Sequence, residues 1–121
     1  DRRVLICSSF QYPLYPGNNP GSMPGHIVNC PLPPGSGSEA FRAAVTQHWL
    51  PALEQFAPQM IFISAGFDGH AADDLAELRL ATGEVAARHA NHRVVSTLEG
   101  GYELSALAAS AVVHIDRLMA D

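Results

Sequence analysis

Apolar runs and stretches of helical periodicity alternate along the chain. Val4-Leu5-Ile6-Cys7-Ser8, His26-Ile27-Val28-Asn29-Cys30, Ile61-Phe62-Ile63-Ser64-Ala65 and Arg93-Val94-Val95-Ser96-Thr97-Leu98 are short, continuous and rich in β-branched residues. Such runs read as buried strands of a parallel sheet, and the one after Met60 as a strand covered on both faces. Between the second and third, Ser36-Gly37-Ser38-Glu39 has the spacing of a capping box, with Ser36 as N-cap and Glu39 three residues on. Phe41, Val45, Trp49, Leu53 and Phe56 then recur at helical spacing and predict a stripe facing the sheet. Pro51 falls inside that helix and should kink it rather than end it, since the stripe continues. Asp73, Asp74, Leu75, Ala76, Leu78 and Leu80 open a further helix, with carboxylates in its first turn. It runs out by His89-Ala90-Asn91-His92. Leu104, Leu107, Ala111, Ile115 and Leu118 predict a closing amphipathic helix. The order of elements points to α/β with a mostly parallel sheet flanked by helices.

The 121 residues suit one domain, or a piece of a larger one, and 47% of them are apolar, enough for a core. No apolar run has the length of a membrane span, and no basic segment followed by an apolar one reads as a signal peptide. The chain opens on Asp1 without a methionine, so sequence upstream is expected. A net charge of −5 disfavours a nucleic-acid backbone as partner. All the basic residues are arginines, scattered without a patch. Cys7 and Cys30 lie in apolar runs and are read as reduced and buried, which fits a cytoplasmic protein, with a disulfide between them as the alternative.

Phe10 to Gly21 is dense in proline, glycine and aromatics and cannot be regular structure. Its aromatics favour an ordered loop that lines a pocket over a disordered one. His48 beside the helical stripe reads as a packed or surface histidine.

Candidate chemistry gathers where strands end. The third strand runs through Gly66 and Phe67 into Asp68-Gly69-His70, and in open α/β sheets ligands bind beyond the carboxyl ends of strands. A carboxylate and an imidazole there suit metal binding or proton transfer. In the structural alternative, Asp68 caps the next helix and His70 packs on it. If the third and fourth strands are parallel, Tyr102 leaves the sheet on the same edge as Asp68. Gly100-Gly101 permits unusual dihedrals before it. A metal-holding carboxylate opposite a phenol could polarise a carbonyl and stabilise its oxyanion. The alternative for Tyr102 is an amphipathic residue at a helix start with its hydroxyl in water.

Ile63-Ser64-Ala65-Gly66-Phe67-Asp68-Gly69-His70, followed by Asp73, Leu75, Ala76 and Leu78-Arg79-Leu80, resembles the zinc-dependent histone deacetylase family, including its bacterial deacetylase-like and acetylpolyamine amidohydrolase branches. Leu98-Glu99-Gly100-Gly101-Tyr102-Glu103-Leu104 resembles that family's Gly-Gly-Tyr-x-Leu motif. Val4 to Ser9, Tyr15-Pro16-Gly17 and Ile27 to Leu32 match in the same order, so the likeness covers nearly the whole chain. It implies the three-layer arginase/deacetylase-like fold, with residues 1–121 as the C-terminal portion of the catalytic domain. It also implies Asp68 as a zinc ligand, Tyr102 as the donor to the tetrahedral oxyanion, and Tyr15 and Leu75 as lining of the acyl-lysine tunnel. Gly100 and Gly101 match the flexible backbone beside that tunnel. His70 follows the metal aspartate in bacterial relatives without ligating zinc, which sets it behind the metal site and overrules pairing it with Asp68 on one ion.

The departures carry as much weight. The earlier Asp-x-His and the His-His that complete the family's metal site and its acid/base pair have no counterpart: the one Asp-x-His in the sequence is Asp68-Gly69-His70, which matches the later metal aspartate, and no His-His occurs. Asp74 stands where relatives usually carry proline, and the stretch between Leu80 and Arg93 looks short. Zinc in a catalytic site takes three protein ligands, so the chain alone is expected to bind Zn2+ weakly or not at all and to be inactive by itself. Two readings follow. One is a zinc-dependent amide hydrolase acting on an acylated lysine or polyamine, complete only with its N-terminal half. The other is a non-catalytic fragment serving as an oligomerising or interaction module, since uncovered strand edges invite a homo-oligomer or pairing with the missing half. An arginase-like metallohydrolase would need aspartate-rich dimetal motifs, which the sequence lacks.

Overall fold

The computed structural model describes residues 1–14, 17, 21–72 and 93–119. The helix expected from Asp73, and with it Leu75 and Asp74, lies outside the described residues, as does Tyr15. The strands are β1 (Ile6–Gln11), β2 (Ile27–Leu32), β3 (Ile61–Ala65) and β4 (Val94–Leu98). The helices are α1 (Ser38–Ala44), α2 (Leu50–Phe56) and α3 (Leu104–Met119), with a π-helical turn, Val45–Trp49, joining α1 to α2. β1 pairs with β2 and β3 with β4, both parallel, as two separate two-stranded sheets. The α/β class and the parallel pairing are therefore as the apolar runs predict.

β1 starts two residues later than the run beginning at Val4 and extends into Gln11. A turn over Met23–Ile27 sets the start of β2, and the Ile6 amide bonds the His26 carbonyl there. Phe10 and Gln11, expected to be irregular, are drawn into the ladder opposite Pro31 and Leu32. Pro31 has no amide to give, and a strand with one free edge tolerates that. β2 alternates inward, so Val28, Cys30 and Leu32 share a face. With Phe41, Ala44, Val45 and Trp49 they form the core of this half of the molecule, with Phe41 and Trp49 edge to face at 6.1 Å. Leu53 and Phe56 are only half-buried and lie outside it.

The capping box does not form. Gly37 is the N-cap of α1, without a side-chain hydrogen bond, because the helix starts two residues past Ser36. The predicted kink takes a definite form: the wide π turn puts Pro51 in the first turn of α2, where a missing N–H breaks no bond. Ala57, left-handed at φ 50°, caps α2 by donating its amide to Leu53 O at 2.9 Å.

β3 differs from the expected doubly covered strand, and β4 beside it is open on the same face. Ala65 is buried, and Ile61, Ile63, Val94 and Ser96 are half-buried, whereas Phe62 is 74% exposed and Val95, Thr97 and Leu98 are also exposed. The faces follow the two-residue period. α3 reaches the inner one with Ala106, Ser110 and His114, all buried, while Leu104, Val112, Ile115, Leu118 and Met119 are exposed. The stripe expected to face the sheet is therefore rotated: of its members only Leu107 and Ala111 are half-buried. Among the described residues no helix is long and apolar enough to cross a membrane.

Candidate functional site at the carboxyl ends of β3 and β4

Parallel pairing sends both chains off the same edge of the sheet, with Ala65 opposite Leu98 as the last register pair. The ladder does not stop there. The Glu99 amide donates to Ala65 O at 3.1 Å and the Phe67 amide to Gly100 O at 3.2 Å. These bonds zip the Asp68 loop to the Gly-Gly-Tyr loop. Asp68 and Tyr102 therefore leave the sheet at one edge, as the pattern predicts for parallel strands.

Glycines let the two loops close on each other. Gly100 has φ +97°, a region that side chains rarely adopt. A Cβ built on it would lie 3.2 Å from Asp68 Cγ and 3.3 Å from both carboxylate oxygens. A Cβ on Gly66 would meet Glu99 O at 2.9 Å and Asp68 Oδ1 at 3.1 Å. The Asp68 carboxylate thus sits in a cradle walled by two backbone segments that carry no side chain. Gly101, at φ +116°, packs bare against Phe67 Cβ and Leu107 Cδ1.

His70 is half-buried and turns back on its own loop. Its amide donates to Phe67 O at 3.1 Å, and its Nδ1 accepts the Ala72 amide at 3.1 Å. An accepting Nδ1 leaves the proton of the neutral ring on Nε2. Asp68 is half-buried and Tyr102 is 62% exposed, ahead of α3. Glu103 caps that helix: its carboxylate oxygens accept the amides of Ser105 at 3.2 Å and Ala106 at 2.6 Å.

Among the described residues no three histidine, cysteine or carboxylate side chains come together as a metal cluster. The acidic cradle suits one ligand of a cation site and not a whole one. Cys7 and Cys30 are free thiols, and burial pushes both pKa values up, so neither is a ready nucleophile.

His114, which the apolar pattern of α3 passes over, lies beneath this edge, 7% exposed. Its Nε2 is 2.7 Å from Ser96 Oγ, and its ring meets Phe67 edge to face with centroids 5.9 Å apart. The sequence signal was there: a histidine four residues after Ser110 and eight after Ala106 sits on their face of the helix.

A carboxylate, glycine and tyrosine edge beyond two parallel strands defines an α/β protein with its ligand chemistry at the strand ends. The comparisons give the family: the Histone deacetylase domain model matches residues 1–118, and the chain belongs to that family. It is 39% identical over 120 residues to a probable deacetylase of Archaeoglobus fulgidus, covering 86% of this chain and 33% of that protein. It is 39% identical over 126 residues to histone deacetylase 10, chloroplastic, of Oryza sativa subsp. japonica, covering 91% of this chain and 28% of that one. Among solved structures it resembles the acetylpolyamine aminohydrolase from Burkholderia pseudomallei with TM-score 0.79 and 26% identity, over 98% of this chain and 39% of that chain. The chain thus spans about a third of the length of these two relatives.

Proposed function

We propose that this chain is the C-terminal portion of a zinc-dependent deacetylase domain, which hydrolyses the amide of an acylated lysine or an acylated polyamine. The observation that carries the reading is the Asp68 carboxylate packed against bare Gly100, two residues before Tyr102. In this reading Asp68 holds the metal through its carboxylate, in the cradle that Gly66 and Gly100 leave open. Zinc, when bound, supplies a Lewis acid that polarises the acyl carbonyl and acidifies water. Tyr102 donates its hydroxyl hydrogen to the oxygen that gains negative charge as the carbonyl carbon becomes tetrahedral. Gly100 and Gly101 let the loop bring that phenol close, Tyr15 and Leu75 line the path of the acyl chain, and His70 braces the Asp68 turn from behind. The remaining ligands and the proton-transferring histidines come from a segment carrying a further Asp-x-His and a His-His; this sequence has no His-His and no Asp-x-His besides Asp68-Gly69-His70.

The test is a pair of substitutions in the complete zinc-loaded domain. Asp68→Ala loses zinc and activity together. Tyr102→Phe keeps zinc but lowers the deacetylation rate roughly a hundredfold, the scale for one oxyanion donor. A Tyr102→Phe variant at near wild-type rate with zinc fully loaded would remove Tyr102 from the mechanism.

The second reading, a non-catalytic interaction module, is favoured by the apolar side chains that face solvent: Phe62 on β3, and Leu104, Val112 and Ile115 on α3. Sedimentation of the chain alone separates the two. Stable self-association with no zinc-dependent activity on adding the missing segment supports the module.

A further inference from the structure

We propose that His114 is a positioning residue: by bridging Ser96 and Phe67 it fixes the loop that carries Asp68. The inference rests on the reading of Asp68 and Tyr102 given above, and it concerns how their backbone is held rather than what they do. The connection is short and continuous. His114 Nε2 bonds Ser96 Oγ at 2.7 Å, which ties α3 to β4 one residue before Thr97 and Leu98. The same ring meets Phe67 edge to face at 5.9 Å, and Phe67 is 6% exposed. Phe67 immediately precedes Asp68, donates its amide to Gly100 O and accepts the His70 amide at its own carbonyl. Its Cβ also forms the wall against which Gly101 rests. One imidazole on α3 therefore touches the residue through which both site loops are joined.

The chemistry of the position argues that more than space-filling is involved. The rest of the inward face of α3 is small, Ala106 and Ser110. An apolar side chain would fill the gap at 114 without polar atoms to satisfy. Histidine instead makes one bond and leaves Nδ1 buried with no partner among the described residues. An unsatisfied buried nitrogen is a stability cost. Departures of this kind from the best-packed choice concentrate at sites under functional constraint.

Hydrogen exchange on the chain itself tests this, without metal or substrate. His114→Leu keeps the volume and removes the bond; Ser96→Ala removes the bond and keeps the ring against Phe67; His114→Gln offers a side-chain amide to Ser96. In His114→Leu the Phe67 and His70 amides should exchange roughly tenfold faster, the scale of one net hydrogen bond. The amides of β1 and β2 should be unchanged. Ser96→Ala should give a smaller acceleration at the same two amides, and His114→Gln should recover part of the protection. Equal acceleration throughout β4 and α3, with nothing specific to Phe67 and His70, would make His114 ordinary packing and overturn the proposal. So would no change at all. Should His114→Leu fail to fold, the Ser96→Ala pattern decides by the same two criteria. Because exchange is read without zinc, a failure here is distinguishable from a failure of the roles given to Asp68 and Tyr102, which would appear in metal content and rate.

Discussion

The two glycines around Asp68 offer a sharp experiment, because adding one methyl group to each presses on different things. Gly66→Ala places its Cβ 2.9 Å from Glu99 O, a backbone atom whose own amide is held by Ala65. Nothing there can swing aside, so the ladder between the two loops must shift. An overpacked contact of this type costs about 1–3 kcal/mol. Gly100→Ala meets mainly the Asp68 carboxylate, at 3.2 to 3.3 Å, and that is the free end of a side chain. The carboxylate can turn away at little cost, so what remains is the backbone strain of a φ of +97°, about 1–2 kcal/mol. Gly25→Ala is the control: it has φ +70° and nothing within 4 Å of its Cβ. Urea denaturation should therefore place Gly100→Ala close to Gly25→Ala, with Gly66→Ala free to fall below both. The Asp68 side-chain carboxyl resonance should nevertheless move in Gly100→Ala and stay put in Gly25→Ala. In the complete domain, Gly100→Ala should lose zinc affinity despite its modest stability loss, since ligand placement tolerates only about 0.5 Å of error. If the Asp68 resonance and zinc affinity are both unchanged in Gly100→Ala, the cradle is incidental and the reading of this edge is wrong.

Other outcomes follow from the same structure. Phe41→Ala should destabilise the chain by about 3 kcal/mol, since it empties the centre of the core beneath β2 and removes the edge contact with Trp49; a change under 1 kcal/mol by denaturant titration, about the effect of an ordinary surface substitution, would place the core elsewhere. Tyr102→Phe should change folding stability by less than about 1 kcal/mol, because the side chain is 62% exposed. Stability should also depend on pH through His114, whose pKa burial lowers from the ordinary 6.5. The native chain then binds fewer protons than the unfolded one just below that value, so this contribution is intact above 6.5 and declines as pH falls through it towards the native pKa. Melting temperatures of wild type and His114→Leu from about pH 8 to about pH 5 should diverge at the acid end, the wild type falling faster; parallel curves would refute the assignment.

What could be read from the sequence differs between the two halves of the site. β3, β4 and their shared edge were legible because a short continuous apolar run ending in small residues constrains both element type and direction. The bond from Phe67 to Gly100 follows from that pairing. Capping and boundary details were less accessible. Ser36 and Glu39 have capping-box spacing, yet Gly37 takes the N-cap, because spacing alone does not fix where a helix starts. Tyr15 and Leu75 lie outside the described residues, so their place at the site rests on the family resemblance alone.

The rotation of α3 has a physical reason that a count of apolar residues cannot supply. Periodicity identifies an amphipathic face only when one side of a helix is polar, and α3 carries apolar residues on most of its circumference. Its orientation is set instead by how closely it must approach the sheet. Gly101 brings the loop against Leu107 Cδ1, 3.0 Å from where a Cβ would stand, at the first turn of the helix. A helix seated that near the strand ends turns the small side chains of Ala106 and Ser110 inward, and one turn further on His114, bonded to Ser96. The larger Leu104, Val112 and Ile115 are then turned outward by the geometry that brings Asp68 and Tyr102 to one edge. The apolar surface on α3 and the polar site at the strand ends thus have a common origin in the close seating of Gly101.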